Sequence, residues 1–169
     1  MKRNLVLYGL LAGIFLTAYV NLLDYSKIIY QTTWGMYAGY LAILILPLCI
    51  YFALNELRKK QGELLFKQSL MVSMLIALMA STIYSAYTFI DIHFFDAAHL
   101  HNLFDFTAQK LKAEGKSITE VQERLESLHK HYFSYKPYTY TFIWYVGMGL
   151  LYGILFFFIY KFRYRKQVS

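Results

Sequence analysis

Leu70–Ile90, LMVSMLIALMASTIYSAYTFI, contains no Asp, Glu, Lys, Arg or His. A helix that buries one stripe in a soluble core shows water a polar face, and this stretch has none. Three more stretches share the property: Leu5–Leu23, Met36–Leu54 and Tyr138–Tyr160. At 1.5 Å per residue each makes a helix of about 28–35 Å, which matches a hydrocarbon core of ~30 Å. Apolar on every face, they have lipid and one another as solvent.

Composition supports the same class. Of the 169 residues, 58% are apolar, 20% aromatic and only 16% charged, whereas soluble domains carry roughly a quarter charged residues. The expected fold is an all-α membrane protein with four transmembrane helices over 5–23, 36–54, 70–90 and 138–160, in a single membrane domain 1–169. Lys2 and Arg3 could open a signal peptide, but the apolar run that follows exceeds a usual h-region and lacks a small-residue cleavage site. The first stretch is therefore read as a retained span.

Charge sets the orientation. Lys2, Arg3, Arg58, Lys59, Lys60, Lys67, Lys161, Arg163, Arg165 and Lys166 fall on one side with two acids, Glu56 and Glu63, a balance of +8. The other side carries seven cations against eight acids, and its −1 completes the net charge of +7. Positively charged loops stay in the cytoplasm, so the expectation is a multi-pass inner-membrane protein with both termini cytoplasmic. The basic clusters hug helix ends, where anionic headgroups lie; they point to membrane lipids as partners and not to nucleic acid. Cys49 is the sole cysteine and sits inside the second span, so no disulfide forms within a monomer.

The segment 91–136, between the third and fourth spans, is polar and reads as an extracytoplasmic helical hairpin. Ala97, Leu100, Phe104, Ala108 and Leu111 recur at helical spacing, Gly115 supplies a stop, and Ser117-Ile118-Thr119-Glu120 fits a capping box. Ile118, Val121, Leu125, Leu128 and Tyr132 then alternate steps of three and four, forming a seam for the first arm. Pro137 falls where the fourth span begins, a favoured first-turn position. Pro47 is expected to bend the second span.

Helices in lipid approach through small residues. Gly9 and Gly13 supply them in the first span, Gly35 and Gly39 in the second, and Gly149 and Gly153 in the fourth. The third carries a stripe of Ser69, Ser73, Ala77, Ser81 and Ser85, expected to face the bundle interior. Aromatic residues crowd the outer helix ends, among them Tyr84, Tyr87, Tyr138, Trp144 and Tyr145. They read as an interfacial belt, with a tyrosine-lined pocket for a lipid, quinone or aromatic ligand as the alternative.

All five histidines, His93, His99, His101, His129 and His131, lie in or beside the outer segment. Residues two apart on a helix diverge by about 200°, so His99/His101 and His129/His131 are poor chelates singly. An antiparallel hairpin would bring His101 level with His131, and imidazoles there could take Zn²⁺ or Cu²⁺. The plainer reading is interfacial packing of the rings, with no cofactor. There is no H-E-x-x-H, no nucleophile elbow and no phosphate-binding glycine loop. The spans hold no ionisable acid or base of the kind that ion-coupled transporters need.

Tyr8-Gly9 with Gly13, Gly39-Tyr40, the basic loop Arg58-Lys59-Lys60 with Gly62, Phe66-Lys67 and the turn Lys112–Ser117 together form a pattern. It resembles a family of small four-span bacterial membrane proteins catalogued as a domain of unknown function. The resemblance runs over essentially the whole chain. It implies a bacterial inner-membrane location and offers no catalytic or ligand residues. Function is expected to be non-enzymatic, an accessory or scaffolding subunit that associates with a membrane-protein partner or with itself. The alternatives are a lipid-, quinone- or metal-binding protein using the outer aromatic and histidine region, and a small transporter or membrane enzyme.

Overall fold

The computed structural model describes residues 2–26, 37, 38, 40–94 and 98–168. Among these residues there is no strand. The α-helices are α1 (Lys2–Tyr25), α2 (Ile45–Gln61), α3 (Phe66–Phe94), α4 (Ala98–Ala113), α5 (Ile118–Tyr132) and α6 (Lys136–Val168). Three stretches are long and apolar enough to cross a membrane: Asn4–Leu23, Phe66–Phe94 and Lys136–Phe162.

The second expected span takes a different form. Tyr37, Ala38, Tyr40 and Leu41 are helical, a 3₁₀ turn over Ala42–Leu44 follows, and α2 begins at Ile45. Pro47 accounts for this: it has no N–H for the carbonyl of Ile43, and its ring crowds that carbonyl. The chain tightens one turn before the proline. Residues 36 and 39 of the expected span lie outside the described residues, as do Gly35 and Gly39 among the expected packing positions.

Contacts fix the helix directions. Gly9 and Gly13 of α1 meet Met79 and Ile83 of α3 in ascending order, so these helices run parallel. Gly149 of α6 meets Ala77, and Gly153 meets Ser73 and Ser69, in descending order, so α6 runs antiparallel to α3. Asn4 and Tyr8 of α1 bond Glu56 near the end of α2, which makes α2 antiparallel to α1. The long helices thus alternate in direction, and α3 is the central one, packed against both α1 and α6.

The core forms where α2 and α3 meet. Ile50, Ala53 and Leu54 of α2 pack with Val72, Ile76, Ala77 and Ala80 of α3, with Ala12 and Tyr160 closing the sides. Ser69, Ser73 and Ser81 are fully buried beside them. Ser69 Oγ donates to the Gly153 carbonyl at 2.7 Å, and Ser81 Oγ donates to Leu78 of its own helix. Such bonds in lipid average only about 0.6 kcal/mol, so close backbone packing dominates the α3–α6 seam.

The hairpin of α4 and α5 turns at Gly115, whose φ of +76° suits a residue without Cβ. The capping box forms in full: Ser117 Oγ accepts from the Glu120 N–H at 3.3 Å, and Glu120 accepts from the Ser117 N–H at 2.9 Å. The Ser117 N–H, then Lys116 and the Ser117 hydroxyl, hold the Glu120 carboxyl down at about 2. Along the seam Leu100 and Val121 are buried, while Phe104, Leu125, Leu128 and Tyr132 are half-buried. Ile118 departs from the expected seam and is 77% exposed. The physical reason is length: α4 ends at Ala113, leaving no turn opposite the first residue of α5. Ala97 lies outside the described residues.

A Cβ at Gly149 would collide with that of Ala77 and stand 3.1 Å from the Ser73 carbonyl oxygen, whereas one at Gly147 meets nothing within 4 Å. Gly149→Ala is therefore expected to destabilise the protein by about 1–3 kcal/mol, the usual cost of overpacking. Gly147→Ala is expected to leave stability unchanged or raise it. Reversible denaturation of both variants in the same detergent is the measurement, and equal midpoints would remove the seam from the account.

Candidate functional site

Two polar constellations stand at opposite ends of the bundle. At the end where α1 begins, Glu56 collects three donors. Asn4 Nδ2 reaches Oε1 at 2.6 Å, Tyr8 OH reaches Oε2 at 3.1 Å, and Lys60 pairs with the same carboxylate from one turn on. The Lys60 bond first, then those of Asn4 and Tyr8, outweigh burial and hold the Glu56 carboxyl below its ordinary range. Nearby, the Arg58 guanidinium sits 5.1 Å over the ring of Tyr160, which stacks on Tyr51. This cluster is saturated. It clamps α1 to α2 and offers little to a ligand.

The other end is open. A cavity of about 310 Å³ lies where α1, α3, the end of α5 and the start of α6 meet. α1 contributes Val20 and Asn21 to its wall; α3 contributes Tyr84, Ser85, Tyr87, Thr88, Asp91 and Ile92. His131 and Tyr132 come from α5, and Pro137, Tyr138 and Thr141 from α6. Its size falls at the low end of small-ligand pockets, roughly 300–1,000 Å³.

Side chains change along the α3–α6 seam. Toward Glu56, glycine, serine and alanine bring α6 onto α3. In the other half the facing positions carry bulk: Tyr84 packs edge-on against Tyr145 at 5.8 Å, and Phe89 against Tyr138 at 5.5 Å. Polar groups beside these rings line the cavity.

Hydrogen bonds brace that wall. Tyr87 OH donates to Asn21 Oδ1 at 2.8 Å, and Asn21 Nδ2 donates back to the Thr17 carbonyl at 2.8 Å. Tyr138 OH donates to the Tyr132 carbonyl at 3.0 Å, tying α6 to the hairpin. Ser85 Oγ is buried with no hydrogen-bond partner, a state that native proteins rarely leave unexplained.

The histidines distribute themselves among aromatic rings. His93 stacks on Phe89 at 4.3 Å and sets its Nδ1 3.0 Å from the Phe89 carbonyl. His129 stacks on Phe133 at 4.3 Å, and Phe133 also meets His93 edge-on at 5.6 Å. His131 packs against Tyr132 and lines the cavity, while His101 is exposed on α4. The side chain of His99 lies outside the described residues. Among the described residues no three His, Cys, Asp or Glu side chains gather to hold a metal ion. His93 and His129 meet through the ring of Phe133.

Sequence reasoning placed Tyr84, Tyr87, Tyr138 and His131 near one another but missed Asn21, Ser85, Thr88 and Asp91 as wall residues. A signal existed: Ser85, Thr88, Asp91 and Ile92 fall on one face of α3 by three- and four-residue spacing. The Asn4–Tyr8–Glu56 cluster was missed altogether.

The family model described as "Protein of unknown function (DUF4199)" matches residues 6–167. The chain belongs to this family. The resemblance read from the glycine and basic-loop motifs is thus to a family whose function is not assigned. No curated protein and no solved structure matches the chain.

Because its folded pKa is depressed, the stabilisation from Glu56 is present above the ordinary value of 4.5 and is lost as pH falls through the lower folded value. Glu56→Gln is accordingly expected to lower the thermal midpoint at neutral pH, with the gap to the wild type closing in acid. Thermal scans of detergent-purified protein across pH check this; a gap that widened in acid would contradict it.

Proposed function

We propose that the chain is a four-span protein of the bacterial inner membrane, both termini cytoplasmic, that works without catalysis by holding a small ligand in the outer cavity. The cavity, half polar and braced by hydrogen bonds that join α3 to α1 and α6 to α5, is the observation that carries this reading. Alternating helix directions support the span count. The end marked by the Glu56 cluster carries Arg58 and Lys60, with Lys67 and Lys161 at the adjoining ends of α3 and α6, which suits anionic headgroups on a cytoplasmic face. The cavity then opens on the other side, beneath the hairpin of α4 and α5.

One observation favours a second reading, an accessory subunit acting by helix association. Trp144, Leu151, Leu155, Phe158 and Phe162 are all exposed on α6, and Gly147, with open space around it, falls among them. Their steps of seven, four, three and four form one stripe suited to a partner helix.

Two measurements test the main reading. Reporter insertions at Gly62 and Gly115 should report cytoplasm and exterior respectively, and the reverse pattern would sink the orientation. Native mass spectrometry of protein from its own membrane should show a retained small molecule, absent from a Ser85→Leu variant that fills the cavity. If every preparation carries instead a stoichiometric membrane-protein partner and an empty cavity, the second reading replaces the first.

A further inference from the structure

We infer that an anionic phospholipid is held at the edge where α3 begins and α6 ends, with its phosphate at Lys67 and Lys161. This rests on the membrane reading of the long helices and not on what the outer cavity holds. It starts from an aromatic pair. Phe66 of α3 and Phe157 of α6 meet edge to face, their ring centroids 5.1 Å apart. That contact sets the first turn of α3 beside the C-terminal turns of α6. Lys67 follows Phe66 directly, Lys161 lies one turn beyond Phe157, and both are exposed.

Lys161 shows how the cation is placed. Its Nζ lies 5.8 Å from the centre of the Phe157 ring, one turn back along α6 toward the apolar span. A ring face attracts an ammonium through its quadrupole but leaves N–H groups that call for an oxygen acceptor. Among the described residues neither Lys67 nor Lys161 pairs with a carboxylate. Of the two acids at this end, Glu56 is already held by Asn4, Tyr8 and Lys60. Glu63 alone stands against the remaining cations.

The surface around the two lysines decides what kind of anion fits. Leu65, Phe66, Phe158 and Phe162 are exposed there, and Phe158 stacks on Phe162 at 6.3 Å. A free phosphate or an acidic peptide would satisfy the ammonium groups and leave these side chains without an apolar neighbour. A phospholipid serves both at once, its phosphate at the lysines and its acyl chains along the rings. Basic pockets between transmembrane helices bind anionic headgroups in this manner. A zwitterionic lipid brings its own cation to a surface that already has an excess of them, so the preference is for an anionic one.

The test uses the full chain, purified in detergent and delipidated. It is titrated with phosphatidylglycerol and with phosphatidylcholine of the same acyl chains, and native mass spectrometry reads the lipid retained. Saturable retention of phosphatidylglycerol over phosphatidylcholine is expected. Lys67→Gln and Lys161→Gln should each weaken it about fivefold, the usual worth of one lysine at an anionic surface. Lys59→Gln, on α2, should leave it unchanged. Circular dichroism and elution volume confirm that each variant is folded; should Lys67→Gln fail to fold, Lys161→Gln against Lys59→Gln carries the test. Equal retention of the two lipids, or a loss in Lys59→Gln as large as that in Lys161→Gln, overturns the site and leaves only a diffuse basic rim. Inorganic phosphate serves as the headgroup alone. If it displaces the lipid at equal concentration, the lysines recognise phosphate without the chains, and the lipid assignment is overturned.

Discussion

Everything in this bundle depends on how closely α6 can approach α3. In lipid there is little hydrophobic force between apolar helices, so the contact is held by dispersion between surfaces that fit. Gly149 and Gly153 let the backbone of α6 come down onto Ser69, Ser73 and Ala77, and the buried bond from Ser69 to the Gly153 carbonyl fixes the register. Gly9 and Gly13 do the same for α1 on the other side of α3. With α3 flanked at short distance on both sides, α2 completes the core, contributing larger side chains such as Ile50 and Leu54.

Toward the other end the facing residues become tyrosine, and polar groups line the cavity there. Asp91, Asn21 and Ser85 can stand there because the wall is braced and, at the helix ends, close to water. The Glu56 end shows the opposite solution, where every strong acceptor is already occupied by Asn4, Tyr8 and Lys60. One end is closed by its own hydrogen bonds and the other encloses a cavity.

What was legible in the sequence was whatever depends on a run or a period. Uncharged stretches marked the long helices, small residues every fourth position marked the faces of α1, α3 and α6, and Ser117 with Glu120 marked the start of α5. Ile118 was misread because a seam inferred from one helix assumes a partner of equal length. Pro47 was correctly flagged as a disturbance, but periodicity does not say whether a helix will bend or tighten into a 3₁₀ turn. Glu56 escaped because counting charges by side says nothing of which neutral groups, here Asn4 and Tyr8, reach a carboxylate from fifty residues away. Long-range pairing of polar side chains leaves no period.

The histidines carry the same lesson in chemical form. Among the described residues His93 and His129 pack by their ring faces, on Phe89 and Phe133. His93 and His129 share the two sides of one aromatic cluster through Phe133, and that packing fixes where the hairpin sits on α3. The hairpin in turn carries His131 and Tyr132 to the cavity rim, and Tyr138 binds the Tyr132 carbonyl. The aromatic cluster therefore acts on the site indirectly. Loosening the hairpin would open one wall of the cavity and release the Tyr138 hydroxyl from the Tyr132 carbonyl, changing the shape of the cavity.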